Sequence, residues 1–321
     1  MIIARWQLVE TLGAPDTWSI LASGTEPRDW TSYQRAVPAR LQRIVAAAYE
    51  SGQPVEVILP KSRHPWSELR MRAVPVGWPG EPTLAVRVGV GDVADDLPAA
   101  PFLVNSRTRI VQTLPEGLGP HFSTGLVEFR GAEPFERVER FDGDLDFLAT
   151  LGRSTPNSRW SGIATVYSAI GPRSLLIATR NGPDRYSWRG LVIDVTDSVA
   201  PQQKSFEAAT LDLLRATQPD LYLLILDTAQ LRQVRWVSEP VPNLRWRGVD
   251  EREMVHPDDR ARVAEIRTRI LNGDKRAGVR DLRLSTESGG WLTADVEVSP
   301  LPGGGRDDIP AFVLAQVQVT G

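Results

Sequence analysis

The chain has 321 residues, 41% hydrophobic and 24% charged, with a formal net charge of −3 and no cysteine. That length leaves room for two or three domains and that composition can bury ordinary cores. It excludes disulfides, thiolate metal ligands, a thiol nucleophile and cysteinyl attachment of a flavin or bilin.

All but three of the 37 basic residues are arginine, yet acids outnumber bases and no basic tract occurs. A nucleic-acid backbone requires a clustered basic face, so DNA or RNA is not the expected partner. No apolar run is long enough for a signal peptide or a membrane span, so the expectation is a cytoplasmic protein that does not enter a membrane.

Linker-like stretches at residues 91–101 ("GDVADDLPAAP") and 197–220 ("DSVAPQQKSFEAATLDLLRATQPD") divide the chain into pieces spanning 1–96, 97–200 and 201–321. The first piece opens with strand-like runs "WQLVETL" and "WSILAS" around a Gly13-Ala14-Pro15-Asp16 turn. A helix follows, with Leu41, Ile44, Val45 and Ala48 on one face, Pro38 in its first turn and Gly52 at its stop. Three strands complete the piece, "VEVIL", "SELRMRAV" and "TLAVRVGV"; Leu69, Met71 and Ala73 share one face, as do Leu84, Val86, Val88 and Val90.

The middle piece ends in three strand-like runs, "WSGIATVYSAI", "RSLLIATR" and "WRGLVIDVTDS", with turns at Gly171-Pro172-Arg173 and Asn181-Gly182-Pro183-Asp184. In the linker, Phe206, Thr210, Leu213 and Leu214 share a helical face. Such a helix pairs with a second subunit or couples the middle domain to the last, or else packs on one domain's sheet, and stability favours packing. The last piece repeats the first: "LYLLILD", "QVRWVSE", a helix carrying Val263, Ile266 and Ile270, a stop at Gly273, then "VRDLRLS", "WLTADVEV" and "AFVLAQVQV".

The repeat extends to spacing. Trp66 precedes Pro75 by nine residues, as Trp291 precedes Pro300, and Val57 and Leu59 stand before Trp66 as Leu282 and Leu284 stand before Trp291. The inward phase agrees, with Ala294, Val296 and Val298 matching Leu69, Met71 and Ala73; a one-residue slip reverses the faces. The expected fold class is α+β, with three tandem domains that each flank an antiparallel sheet with short helices.

Two strands, short helices and a three-stranded meander resemble a PAS domain, and "WRGVDEREMVHPDDRARV" is similar to a segment that opens a PAS helix. The middle piece is similar to a GAF domain. With "WQLVETLG" at the start and "WRGVDEREMVHPDD" near the end, the chain resembles the mycobacterial and related actinobacterial PAS-GAF-PAS family of triple sensor-domain proteins. That resemblance implies a sensory or signalling role through a small molecule, a protein partner or both, without an effector domain. The ligand and partner remain open, and a ligand-free interaction scaffold is the alternative.

The residues carry no catalytic or metal constellation. The chain has three histidines, His64, His121 and His256, at most one per piece. "HPDD" at 256–259 reads as a helix start, with His256 as cap, Pro257 in the first helical position and Asp258 and Asp259 facing the exposed N–H groups. Haem on a single axial histidine and flavin are not expected. Ser168 lacks a nucleophile elbow, and Gly303-Gly304-Gly305 lies between strands with no helix to cap a phosphate. Enzymatic activity is therefore not expected. Of ten tryptophans, Trp6, Trp18, Trp66, Trp236 and Trp291 lie in or beside strands, where they cover a sheet or line a pocket. "WRG" occurs at Trp188 and Trp246, a pattern in which the tryptophan stacks on a neighbouring element while the glycine permits a turn. Trp236, Arg245, Trp246 and His256 are the candidate ligand-pocket residues.

Overall fold

The structure is a computed structural model that describes residues 6–59, 69–90, 97–229, 231–249, 253–302 and 309–320. It is α+β, with three mostly antiparallel sheets and few helices. The chain divides into two compact units: residues 1–128, 139–143 and 150–203 form one, and residues 129–138, 144–149 and 204–321 the other.

The first sheet is built from β1 (Gln7–Glu10), β2 (Ser19–Ser23), β3 (Glu26–Ser32), β4 (Val55–Leu59), β5 (Leu69–Val76) and β6 (Ala85–Val90) in the order β3-β2-β1-β6-β5-β4. Between β3 and β4 lie α1 (Tyr33–Ala36) and α2 (Ala39–Ser51). The α2 stripe is the one its spacing predicts: Leu41, Ile44, Val45 and Ala48 are buried, and Gly52 closes the helix at φ 62°. Pro38 is the cap, one position before the helix. Met71, Ala73, Val86 and Val88 meet α2 across one face.

The opposite face of this sheet is also covered, which alternation alone does not announce. Leu8, Leu21, Val74 and Ala85 share a core with Leu176, Ala178, Leu191 and Ile193 of the second sheet, within the same unit. That sheet comprises β7 (Ala99–Asn105), β8 (Ile110–Thr113), β9 (Val127–Arg130), β10 (Val138–Arg140), β11 (Arg159–Ser168), β12 (Gly171–Asn181) and β13 (Ser187–Asp194), ordered β10-β11-β12-β13-β7-β8-β9. Helix α3 (Asp144–Arg153) lies between β10 and β11 in sequence. The turn predicted at Asn181-Gly182-Pro183-Asp184 joins β12 to β13, whereas the β11–β12 turn falls at Ala169 and Ile170: Gly171, Pro172 and Arg173 already pair with β11, and the Ser168 hydroxyl donates to the Gly171 carbonyl across the turn.

The third sheet, β14 (Leu221–Asp227), β15 (Gln233–Trp236), β16 (Ala277–Ser285), β17 (Trp291–Pro300) and β18 (Phe312–Val319), is ordered β15-β14-β18-β17-β16. Setting β3 aside, the first sheet has the same order when strands are counted along its own segment. Ala294 and Val298 are buried beneath α5 (Arg260–Leu271) as Met71 and Ala73 are beneath α2, so the predicted phase holds. The hairpin registers differ: Val57 faces Met71, whereas a shift after Val279 makes Leu282 face Ala294 instead of Val296. A two-residue offset preserves the inward face. Trp66, His64 and Gly303-Gly304-Gly305 lie outside the described residues, as do the side chains of Leu69 and Leu214.

The linker spacing does produce α4 (Phe206–Ala216), but not the expected packing. Phe206 is 82% and Leu213 72% exposed. The physical reason lies in the third sheet, whose faces are already occupied by Ile266 and Ile270 of α5 on one side and by Leu145, Leu148 and Ala149 on the other.

Candidate functional site

The third sheet brings together polar and aromatic groups under α5. On β15, Trp236 pairs with Leu224 and Gln233 with Leu226, because a bulge inserts one residue between them. Cross-strand partners share a face. Leu224 and Leu226 belong to the α5-side core, and so Gln233 and Trp236 lie on that side too, while Arg235 and Val234 belong to the other.

Gln233 is 2% exposed, and neither its amide nitrogen nor its amide oxygen has a hydrogen-bond partner. The Trp236 indole N–H is likewise shielded and without a partner. Trp246 packs edge-on against Trp236 at 6.2 Å between ring centroids and is itself buried. Burying a polar group without a hydrogen bond costs about 1–3 kcal/mol. Two donor groups and one acceptor left unsatisfied within four residues of one strand therefore require an explanation.

A segment from earlier in the chain crosses the edge of this sheet. Ala132 joins the α5-side core, Phe135 lies 5.9 Å beneath the Arg235 guanidinium, and Leu145, Leu148 and Ala149 pack on the opposite face. Polar contacts hold the crossing: Glu133 accepts from the Gly248 N–H, Arg247 donates to Glu136 at 2.6 Å, and Arg235 pairs with Asp144. Residues 132–136 and 144–149, in the same unit as this sheet, thus flank the edge strand β15. The Gly248 turn takes φ 65°, the conformation expected after "WR".

The other candidate residues lie apart from this pair. Arg245 is exposed, and its backbone N–H donates to Ser285. His256 caps the turn at Pro257–Asp259, its Nδ1 accepting from the Asp258 N–H at 3.3 Å, as a helix start predicts. Its ring stands edge-on to Trp291 at 4.6 Å. Asp259 does more than face the helix dipole: it is buried, and accepts from the Arg283 N–H at 3.1 Å and from Arg283 Nε at 2.9 Å. The Arg283 hydrogen bonds hold its carboxyl well below the usual range. His121 is exposed. Among the described residues no group of three or more His, Asp or Glu side chains is placed to hold a metal ion, and no helix is long and apolar enough to cross a membrane.

The first unit contains a buried charge cluster. The β11–β12–β13 register aligns Arg159, Arg180 and Arg189 across three strands. Arg180 reaches Glu10 at 3.1 Å and the Thr17 hydroxyl at 2.9 Å, Arg189 donates to the Leu12 carbonyl at 3.1 Å, and Arg159 lies 5.0 Å over Trp30. Glu10 is fully buried, and desolvation pushes its pKa up to about 7 against the opposing pull of Arg180. A Cβ at Gly13 would come within 2.3 Å of the Arg180 guanidinium, which would have to shift within the cluster.

With this geometry in place, comparison with known proteins gives a family. Residues 5–99 match the Rv3651-like N-terminal domain, and residues 209–302 match the Rv3651-like C-terminal domain, together more than half of the chain. The chain belongs to the Rv3651-like family. The crystal structure of an uncharacterized protein from Mycobacterium tuberculosis is similar over 99% of this chain and 96% of that one, with a TM-score of 0.74 and 19% identity. That likeness concerns the fold, and with the family match it places the chain in an actinobacterial family. An RNA-binding light-oxygen-voltage receptor aligns over 69% of this chain and 95% of its own at 12% identity, with a TM-score of 0.23, which carries no argument. No curated protein matches the sequence.

Gln233, Trp236 and Trp246 all lie within the matched Rv3651-like C-terminal domain, while the wrapping segment lies between the two matched domains. Sequence reasoning found both tryptophans but missed Gln233, which in "QVRWVSE" reads as an ordinary polar strand residue. The bulge that turns it inward leaves no mark in the alternation. Glu10 was missed for a related reason: on a sheet covered on both faces, a single acid in "WQLVETL" carries no signal until its partner, 170 positions away, is known.

Proposed function

We propose that this Rv3651-like protein is a non-enzymatic sensory or signalling protein that binds a small molecule in its C-terminal domain, with PAS-like first and third sheets and a GAF-like second. The observation that carries this reading is the buried, unpartnered Gln233 amide beside the Trp236 indole N–H. A site that leaves donors and an acceptor unmet in a shielded core gains more from a complementary ligand than from solvent. The shared element order, two strands, a helix and a three-stranded meander, supports the PAS-like reading of the outer sheets.

Transmission requires that the ligand bind two conformations with different affinity. Native mass spectrometry of the purified chain, with a near-ultraviolet and visible absorbance scan, tests the reading directly. A retained mass lost in the Gln233→Leu variant supports it. A bare chain whose melting temperature no metabolite raises counts against it, since a ligand at 100 times its dissociation constant adds about 2.7 kcal/mol. The alternative, a protein-interaction scaffold, draws on the exposed Phe206 and Leu213 of α4 and predicts instead a specific partner lost on replacing both.

A further inference from the structure

The chemistry of the groups around Gln233 narrows the ligand, and the segment crossing β15 supplies a way in. Gln233 offers an N–H donor beside a C=O acceptor in one plane, and Trp236 adds a second N–H donor. The flanking surface is aromatic and aliphatic: Trp246 at 6.2 Å from Trp236, then Leu224, Leu226 and Met254. The flanking charges lie on the other side of β15: Arg235 is paired with Asp144, and the buried Arg232, just before the strand, stands opposite Asp227, whose partner Phe312 belongs to that side. A carboxylate, phosphate or ammonium group therefore finds no counter-charge beside Gln233 on its own strand.

The polar atoms are shielded, so a ligand reaches them only if something moves. The segment Ala132–Glu136 has one buried anchor in the core, Ala132, and its polar contacts with the 246–248 turn are the exposed ones of Glu133 and Glu136. The exposed Arg247–Glu136 ion pair contributes about 0.2–1 kcal/mol. The segment also packs on β15 itself, so its release uncovers the strand that carries Gln233 and Trp236.

We propose that Gln233, Trp236 and Trp246 form a closed binding site for a planar, uncharged ring with an adjacent C=O and N–H, a lactam edge, and that residues 132–136 are the strap that opens to admit it. The Gln233 amide pairs with the lactam edge through two hydrogen bonds, the indole N–H meets the same carbonyl or a second one, and the rings pack on the tryptophans. This inference deepens the small-molecule reading above and rests on it.

The test uses the full chain with three probes: uracil and lumichrome, both neutral rings with a lactam edge, and benzoate, a planar anion. The variants are Gln233→Leu, which removes the hydrogen-bonding edge at similar volume, and Glu133→Ala with Glu136→Ala, which releases the strap. Thermal shift reads binding by all three probes, and lumichrome fluorescence in stopped flow reads its rates. Expected are saturable stabilisation by a neutral ring and none by benzoate, and at least tenfold weaker binding to a folded Gln233→Leu chain. Because the strap closes over free and occupied site alike, its release should raise association and dissociation rates together, about two- to tenfold with little change in Kd. Failure of both neutral rings to bind, or binding that survives Gln233→Leu, overturns the ligand class. Rates unchanged in the strap variant overturn the gate. A retained native ligand that is charged overturns this inference while leaving the small-molecule reading in place.

Discussion

Replacing Glu10 with glutamine isolates the buried charge in the first unit, and the structure gives its effect a sign that changes with pH. The Glu10 pKa is raised from 4.5 to about 7 because burial outweighs the attraction of Arg180 at 3.1 Å. The folded state therefore holds a proton that the unfolded chain has lost between these values, so stability falls as pH rises from about 4.5 to about 7 and levels off above. At about 1.4 kcal/mol per pKa unit, ionising Glu10 costs the folded protein about 3 kcal/mol. Glutamine removes that cost, but its amide nitrogen cannot accept the Leu12 N–H that Glu10 accepts at 2.9 Å, a loss of about 1 kcal/mol. Glu10→Gln should then destabilise by about 1 kcal/mol at pH 4, below the unfolded pKa, and stabilise by about 2 kcal/mol at pH 8. Urea unfolding at both pH values measures this, with the transition of the first unit identified by hydrogen exchange of the peptide containing Gln7–Glu10. The difference between variant and wild type cancels the titration of the histidines. If the variant is the less stable at pH 8, by the 3–5 kcal/mol expected when a buried arginine loses a net favourable partner, the reasoning fails and the ion pair is stabilising.

Gly13→Ala places a Cβ within 2.3 Å of the Arg180 guanidinium and 2.7 Å of the Thr17 hydroxyl, and should cost about 1–3 kcal/mol in the same unfolding assay. Gly190→Ala meets the Phe102 ring at 2.3 Å and the Ala178 carbonyl at 2.6 Å, so neither wall yields cheaply; a melting temperature equal to wild type refutes this packing. Asp259→Asn removes the charge and one of the two acceptor oxygens that hold Arg283. Because the folded carboxyl titrates below its ordinary range, its contribution is present at neutral pH and is lost as pH falls below about 4, so the deficit of the variant should shrink on acidification. His256→Asn preserves a capping acceptor and should change stability by under about 0.5 kcal/mol, whereas His256→Ala should cost about 1 kcal/mol by thermal unfolding.

Where a signal depends on neighbours in sequence, it was legible. The α2 stripe, the Gly52 stop, the hairpins of β11 to β13 and the cap at His256 all rest on spacings of a few residues, and the matched phase of the first and third meanders follows from the two-residue period. The two "WRG" repeats show where this ends. Gly248 supplies the expected positive φ, but Gly190 stands mid-strand, where its missing side chain makes room for Phe102 from another strand. Tertiary partners decided that difference. They likewise decided the exposure of α4, whose stripe is sound as a helix but finds both faces of the third sheet taken, and the placement of Arg245, exposed beside the buried Trp246.

The wrapping of β15 has a mechanical consequence. Residues 129–138 are continuous with β9 and β10 of the second sheet, and residues 144–149 begin α3, so the segment that covers the third sheet's edge is tethered at both ends to elements of the middle piece. Release of Glu133 and Glu136 cannot be confined to the third sheet, because the freed residues are the connection between two strands of another. Opening of the strap reaches β9 and β10 through covalent bonds, without needing a chain of side-chain contacts. Hydrogen exchange of the β9 and β10 peptides in the Glu133→Ala, Glu136→Ala chain should therefore rise with that of β15, and protection at β9 and β10 unchanged from wild type would show that the tether is slack.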